Sequence, residues 1–540
     1  MKDISSTASF VDFTLENFIY VDKTEYIPKL VKLKRVFISR PRRFGKSLTL
    51  DTIGTLFEKG VDPFFKGTWI YDKWTEPTYP VFRLSFLNLD NSSLDLFKKQ
   101  LNSIISEFAI KISVKGYVEK TEPEDSILSL LEKLEEETRQ IVILIDEYDY
   151  QLTSNINHGD LYKQFQEKIK SFYANIKDKL AIKFLGITGV TRLKDVEIFS
   201  IGSDIKDITN YSPYSQMIGF TRDEIKKYYI DYLKLAASYE NKCRVEEVTD
   251  AQIESLLDRL AKNYDGYCFD EDYEKKVFST WSVNTFLQSV VDKKKVQFGE
   301  YWYDNGGLPS ILVNYLKTHE LNIFEYVDKD KFLKVSSDDF KNPTALTTIN
   351  QNVLMCQTGY LTLRSDLNKT STVALGIPNG EIYKALNRLL ANNIFKGNTD
   401  ITDDYGRSLL EVGTVDDIIN LFNSALNSVS YDNYPIVSES SVQNMLKLYL
   451  LGAHQKVLSE VHEAKGRADL VVNTDNRRIV FEFKYAKNET EAKSKLLDAV
   501  EQIKTRNYGN IVPNKTELLR IAAVFNADPK VRAFTEYQEV

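Results

Sequence analysis

From about Asn17 to Tyr211, short apolar runs alternate with longer stretches of helical periodicity. Arg35–Ser39, Pro80–Leu84, Ile141–Asp146 and Ala181–Gly189 read as strands. Strands separated by helices predict βα crossovers and a parallel sheet covered on both faces. From about Thr221 to Gly397 the pattern turns mainly helical with aromatic-rich loops, punctuated by turn signals at Asn263-Tyr264-Asp265-Gly266-Tyr267 and Asn305-Gly306-Gly307. Ile401 to Ser430 reads as a helical connector, and a compact α/β unit begins at Ser440. With no internal repeat and no low-complexity linker, the expected modules are 1–220, 221–400 and 401–540, packed against one another.

Composition narrows the classes. A chain of 540 residues exceeds one ordinary core, which predicts two to four domains. Hydrophobic and aromatic contents of 43% and 12% exclude global disorder. The longest apolar runs, such as Ile141 to Ile145, are strand-length, well short of the ~20 residues that cross a bilayer, so no membrane partner is expected. Met1-Lys2-Asp3-Ile4-Ser5-Ser6 has no apolar stretch behind a basic start, so no signal peptide is expected. Cys243, Cys268 and Cys356 are too few and too scattered for a disulfide framework or a zinc site, which points to reduced thiols and a cytoplasmic setting. Net charge is −7, yet Arg35, Arg40, Arg42, Arg43 and Lys46 crowd one short segment, an anion-seeking patch in an acidic chain.

That patch coincides with a strand–loop–helix pattern, Val36 to Ser47, ending in Phe44-Gly45-Lys46-Ser47 and the helical Leu48-Thr49-Leu50. Gly-Lys-Ser opening a helix fits a P-loop, whose backbone N–H groups hold phosphate oxygens. Lys46 would reach the β/γ-phosphates and Ser47 would ligate Mg²⁺. Arg40 stands where the motif ordinarily has its first glycine, so the loop must open differently. Ile141–Glu147 is an apolar strand ending in two acids: Asp146 would hold the Mg²⁺ shell and Glu147 would polarise the attacking water. A third strand, Phe184–Gly189, ends at Thr188, suited to sensing the γ-phosphate, with Arg192 just beyond. Arg42, Arg43, Phe44, Gly45, Lys46, Ser47, Asp146, Thr188 and Arg192 are therefore the candidate nucleotide contacts. The bland alternative is a basic helix start beside ordinary core strands.

Tyr20-Val21-Asp22-Lys23-Thr24, Arg40-Pro41-Arg42-Arg43-Phe44-Gly45-Lys46-Ser47 and Leu144-Ile145-Asp146-Glu147-Tyr148-Asp149 together resemble the bacterial AAA-ATPase-like family. Thr188-Gly189-Val190, Lys206-Asp207-Ile208-Thr209 and Gly219-Phe220-Thr221 extend the likeness over nearly the whole chain. The resemblance makes Arg40 the normal form of this loop. It also implies a PD-(D/E)XK nuclease domain at the C-terminal end. Tyr264-Asp265-Gly266-Tyr267-Cys268-Phe269 resembles a further recurrent stretch of the family, with packing beneath a lid as its expected role.

The C-terminal chemistry can be read independently. Arg467–Val472 and Ile479–Lys484 form a strand pair joined at Thr474-Asp475-Asn476-Arg477, an antiparallel hairpin. A turn centred on Asp475-Asn476 sets Asp469 opposite Glu482, near enough to share one divalent ion. Glu482 and Lys484 share a face, while Phe481 and Phe483 point into the core. Two carboxylates with a neighbouring lysine suit Mg²⁺-dependent, or Mn²⁺-dependent, phosphodiester hydrolysis, with Lys484 positioning water or developing charge. The rival reading is a surface hairpin with a salt bridge. Asp469, Glu482 and Lys484 resemble the Asp…Glu-x-Lys core of PD-(D/E)XK nucleases. That resemblance implies Glu460 as the preceding acidic metal ligand, with Glu463 its competitor, and Gln502 as a supporting helix residue. His158, His319, His454 and His462 are too far apart in sequence to suggest a site.

The resulting expectation is an α/β protein with three parts: a P-loop NTPase unit with a parallel sheet and flanking helices, a mainly helical middle region, and an α/β nuclease-like domain. It would bind and hydrolyse ATP and cleave nucleic acid, DNA ahead of RNA. The alternative is an ATP-controlled switch whose C-terminal unit binds nucleic acid or a protein without cutting. The oligomeric state is left open.

Overall fold

The computed structural model describes residues 1–193, 204–304, 310–316, 319, 325–343, 345–395, 404–453, 456–463, 466–506, 508 and 517–540. The side chains of residues 303, 304, 310, 404–406, 456, 458–463 and 466 lie outside that description, as do the Asn305-Gly306-Gly307 turn signal and His454. Two compact units form: Met1–Leu321 with Phe332–Ile382, and Asn322–Lys331 with Tyr383–Val540.

In the first unit the apolar runs become strands β1 (Arg35–Ser39), β2 (Val81–Ser85), β3 (Ile141–Asp146), β4 (Ile182–Gly189) and the short β5 (Lys206–Asp207). All pair in parallel, in the order β2-β3-β4-β1-β5. Val36, Phe37 and Ile38 are all buried, as strands covered on both faces require. Parallel pairing demands crossovers, and helices Lys46–Lys59, Leu94–Lys111, Pro123–Glu136 and Gly159–Ile176 supply them. The chain leaves β1 towards β2 on one side, and leaves β4 towards β5 on the other. The crevice at the carboxyl ends of β1 and β4 is therefore the topological switch point, where open α/β sheets take their ligands.

Helices Arg222–Tyr228, Asp250–Tyr264 and Thr280–Lys293 follow, the first two begun by capping boxes at Thr221/Glu224 and Thr249/Gln252. With helix Ile230–Asn241 and the Tyr229 that precedes it, they bury Tyr229, Leu233, Leu256, Leu260, Phe286 and Leu287 in one core. A small antiparallel sheet, β6 (Leu333–Ser336), β7 (Thr362–Leu363) and β8 (Thr372–Gly376), completes this unit in the order β6-β8-β7. Its strands are too short to leave a periodic trace, which is why the sequence pattern reads as helical here.

The second unit holds β9 (Lys456–Glu463), β10 (Gly466–Asn473), β11 (Arg477–Ala486), β12 (Glu517–Asn526) and β13 (Ala533–Glu539), ordered β13-β12-β11-β10-β9. Only β11 and β12 pair in parallel, with helix Glu489–Arg506 between them as the crossover. Phe481 and Phe483 stack 5.5 Å apart on one face, against Phe422 and Phe534. Val480 and Ala522 on the other face pack against Ala499, Ile503 and Tyr508. The expected α/β class, with a parallel N-terminal sheet, a mainly helical middle and a C-terminal α/β domain, is the one observed.

Candidate functional site

The β1–helix loop opens through two left-handed residues, Arg43 (φ 69) and Gly45 (φ 98), and not through Arg40. Gly45 is the position where the absence of a Cβ makes that angle inexpensive. The Arg40 side chain turns away from the loop mouth and is buried. Its Nη1 donates to Ser39 O (2.9 Å) and Thr209 O (2.5 Å), and its guanidinium lies 4.1 Å over the Phe269 ring. Burial holds it down at about 9. The loop's first residue thus anchors the loop from behind.

The next residues are gripped in turn. Gly359 (φ 93) approaches Pro41 so closely that an added Cβ would meet it at 2.8 Å. Trp302 Nε1 donates to Arg42 O (3.4 Å). Thr280 Oγ1 donates to Arg43 O (3.0 Å), and the Arg43 guanidinium sits 4.4 Å over Trp281. Phe44 is buried edge-on to Tyr267 (4.7 Å) and Phe269 (5.5 Å), so its side chain is an anchor and only its backbone faces the loop. The Tyr264–Phe269 stretch is the socket for the loop.

Inside the loop, Lys46 Nζ donates to Arg40 O (2.9 Å) and Pro41 O (3.0 Å). Burial lowers its pKa, while Asp146, Glu147 and Asp149 pull the other way. Ser47 Oγ donates to Asp146 Oδ2 (2.5 Å), and the Thr188 hydroxyl donates to the other oxygen of the same carboxylate. Residues from the loop helix, β3 and β4 therefore converge on Asp146. Glu147 follows at φ 49, a costly backbone state for a non-glycine residue, and burial raises its carboxyl. Asp149 accepts from the Thr191 backbone (2.6 Å) and hydroxyl (2.5 Å), tying the ends of β3 and β4 together. Arg192 is committed elsewhere: it pairs with Asp207 on β5 and, with Arg40, lines a separate cavity near Cys268 and Cys356.

Beside Gly45, Leu48 and Thr49 a mostly apolar cleft of about 150 Å³ opens, walled by Tyr20, Val21, Ile218 and Trp281. The Tyr20–Thr24 motif is a wall of this cleft. Asp22 accepts from the Thr24 N–H and hydroxyl (2.9 and 2.7 Å), and Lys23 pairs with Glu224 at 2.6 Å.

In the second unit the hairpin turn closes through Thr474 N to Arg477 O (2.9 Å). Leu470 pairs with Phe481 and Val471 with Val480, the register that sets Asp469 across from Glu482. The Asp469 carboxylate accepts from the Phe483 N–H (2.8 Å). Lys484 Nζ lies 2.8 Å from Glu482 Oε1 and 3.4 Å from Glu439 Oε1. Glu482 is 1% exposed, and its Oε2 is buried with no hydrogen-bond partner among the described residues. Burial raises Asp469 to about 6; burial and then Asp469 raise Glu482 to about 7. Burial works against the Lys484 ammonium, but the surrounding carboxylates outweigh it and raise its pKa.

Glu439 and Gln443 are contacts that sequence reading missed. Glu439 opens helix Glu439–Gly452 behind the Ser438 cap, and Gln443, one turn on, donates to Asp469 O. Their i, i+4 spacing was the available signal. Gln502 Nε2 reaches Tyr508 Oη (3.3 Å), which Arg506 also contacts, so it steadies the helix end beside the sheet. Glu460 lies on β9, placed across from Asp469 by the Ala468–Val461 and Leu470–Ser459 pairs, and its side chain, like those of Glu463 and His462, is outside the described residues. Among the described residues no three His, Cys, Asp or Glu side chains cluster to hold a metal. The donor set is therefore two carboxylates, one with an orphaned oxygen. That chemistry fits a hard divalent cation.

A phosphate loop at a sheet switch point and a buried carboxylate pair beside a lysine define a nucleotide-binding unit joined to a nuclease-type unit. Residues 5–199 match the family model described as Predicted AAA-ATPase, and residues 437–535 match the PD-(D/E)XK nuclease superfamily. The two matches follow one another in that order along the chain. It is 25% identical over 530 residues to an uncharacterized protein in the vnfD 5' region of Azotobacter chroococcum mcd 1, covering 95% of this chain and 94% of that one. A crystal structure of Cdc6p from Pyrobaculum aerophilum aligns over 67% of this chain and 90% of that chain, at 10% identity and a TM-score of 0.23, too low to support an argument. Among the described residues no helix is long and apolar enough to cross a membrane.

Proposed function

We propose that this protein binds and hydrolyses ATP in its first unit and, in its second, cleaves phosphodiester bonds of nucleic acid with Mg²⁺ or Mn²⁺. The observation that carries the nuclease reading is the buried Glu482 Oε2, without a hydrogen-bond partner among the described residues and next to Asp469, with both carboxyls held well above their usual range. Such an arrangement is costly until a cation arrives. Asp469 and Glu482 would hold the ion, and Glu460 stands at the register position to join them. When bound, the ion would stabilise charge on the scissile phosphate and acidify a water. Lys484, held on the same face, would release Glu482 and orient that water or the phosphate.

In the first unit Lys46 would exchange its two carbonyl partners for phosphate oxygens, and Ser47 and Asp146 would hold Mg²⁺. Glu147 would take the water's proton. The apolar cleft beside Gly45 offers room for the nucleoside, with Trp281 and Arg43 along one wall. DNA is favoured over RNA as substrate, and the cytoplasm is the setting that three free cysteines suit.

The test is a metal-dependent cleavage assay on labelled DNA and RNA, with Asp469→Asn and Glu482→Gln beside the wild type. Cleavage that needs Mg²⁺ or Mn²⁺ and both carboxylates supports the reading. Binding without cleavage, at every metal and ATP concentration, favours the switch alternative instead.

A further inference from the structure

At the opposite end of the first sheet from the phosphate loop, where β1, β3 and β4 begin, lies a groove enclosing about 990 Å³ of open space. Six cations line it: Lys32, Lys34, Arg35, Lys73, Lys179 and Lys183; Glu76 is the one carboxylate among its lining residues. In a chain of net charge −7 this is a strong local reversal of sign.

Some of this charge is accounted for locally. Lys183 pairs with Glu76 at 2.6 Å, and Arg35 pairs with Asp204 at 2.8 Å. Lys73 donates to Trp69 O (2.9 Å) and lies 4.4 Å over the Trp69 ring. Lys32 and Lys34 flank the carboxyl end of helix Ile27–Leu33, where a helix dipole favours cations. No such reason holds for Lys179, and Lys32, Lys34 and Lys179 have no acidic partner among the described residues. Two buried donors on the groove wall, Arg35 Nε and Trp74 Nε1, likewise lack an acceptor. Unpaired like charges gathered in a concavity repel one another, and the field they create attracts a polyanion.

We propose that this groove is a sequence-independent binding surface for the phosphate backbone of nucleic acid. Its cluster of cations matches the closely spaced charges of a phosphate backbone running across its mouth. The assignment rests on the nuclease reading, for it places a substrate-holding surface on the unit that does not cut.

The experiment is fluorescence anisotropy with a fluorescein-labelled 20-mer DNA duplex, over a salt series in EDTA, using the full chain. Lys32→Glu/Lys34→Glu/Lys179→Glu should weaken binding at least tenfold near 0.1 M salt. It should also lower the log–log salt slope by about 3, since each lost phosphate contact removes roughly 0.9. ATP affinity should stay as in wild type, while the melting temperature should fall by a few degrees at most, because the carboxyl end of helix Ile27–Leu33 loses two favourable cations. If the triple glutamate variant does not fold, the triple glutamine variant should still lose about threefold or more. Unchanged DNA affinity in a folded variant, with wild-type DNA binding and cleavage intact, overturns the groove alone. No binding and no cleavage by the wild type overturns the groove together with the nuclease reading. Tighter binding to a poly-glutamate peptide or to anionic phosphatidylserine vesicles than to DNA overturns the assignment of nucleic acid.

Discussion

The two candidate sites solve the same problem, holding charge inside a protein, in opposite ways. At the phosphate loop the named side chains satisfy one another: Lys46 rests on two carbonyls, and Ser47 and Thr188 both serve Asp146. At the hairpin, Glu482 keeps an unserved oxygen beside a second carboxylate. The first site is closed upon itself and must rearrange to accept a ligand. The second is electrostatically incomplete and, on the proposed reading, would gain stability from a bound cation. The first site carries its strain in the Glu147 backbone and in buried cations, whereas the second carries it in a buried Glu482 beside the half-buried Asp469.

The sharpest way to break this contrast is to remove the unserved charge. Asp469→Asn and Glu482→Gln are expected to lower metal-dependent cleavage by about 10³-fold, some 4 kcal/mol of barrier, while the fold survives. Gel assays with melting curves read both; wild-type cleavage by either variant removes the metal-site half of the comparison. Next comes Phe483→Ala, one residue from Glu482 on the opposite face. It should cost about 3–5 kcal/mol in denaturant unfolding of the second unit, because Phe483 is buried against Phe481 and Phe534. A loss under 1 kcal/mol would mean the two faces are not divided as described.

Lys46→Ala should reduce ATP affinity in calorimetry by about 10–100-fold, the worth of a charged hydrogen-bonding group. Equal affinity would show that the loop does not hold phosphate. The smallest effect concerns pH. The folded state holds Glu482 at about 7 against 4.5, and Asp469 at about 6 against 3.8. A carboxyl raised in the fold contributes stability that is complete below the unfolded value and is lost as pH climbs through the folded one. Metal-free protein should therefore lose stability from the second unit as pH climbs from about 4 to about 7. Melting at pH 5 and pH 8, with and without Mn²⁺, checks it; a flat profile in EDTA would mean the pair is not strained.

Much of this was legible in the chain because it is local. The apolar runs at Val36–Ile38 and Ile141–Ile145 could only be covered strands, and the Asp475-Asn476 turn fixed the hairpin register by counting. What stayed hidden is what tertiary packing brings from afar. Nothing near Arg40 announces Phe269 or Thr209, so replacing the usual glycine looked like a change of loop shape when it is an anchor. Glu439 lies thirty residues before Asp469, and only the sheet's packing against its helix draws it to Lys484. Nothing in the sequence ties Trp281 and Trp302 to Arg43 and the Arg42 carbonyl, which packing alone brings to them.

The grip on residues 40–44 also bears on how the protein can be dissected. The family match for the first domain ends at residue 199, but the socket for Phe44 is Tyr267 and Phe269, and Pro41 meets Gly359. A fragment trimmed to the family boundary would leave two aromatic contacts and a buried guanidinium facing solvent, so it should express as an aggregating species with a slack phosphate loop. A piece for nucleotide work should therefore run to Ile382, the end of the compact unit that holds these contacts.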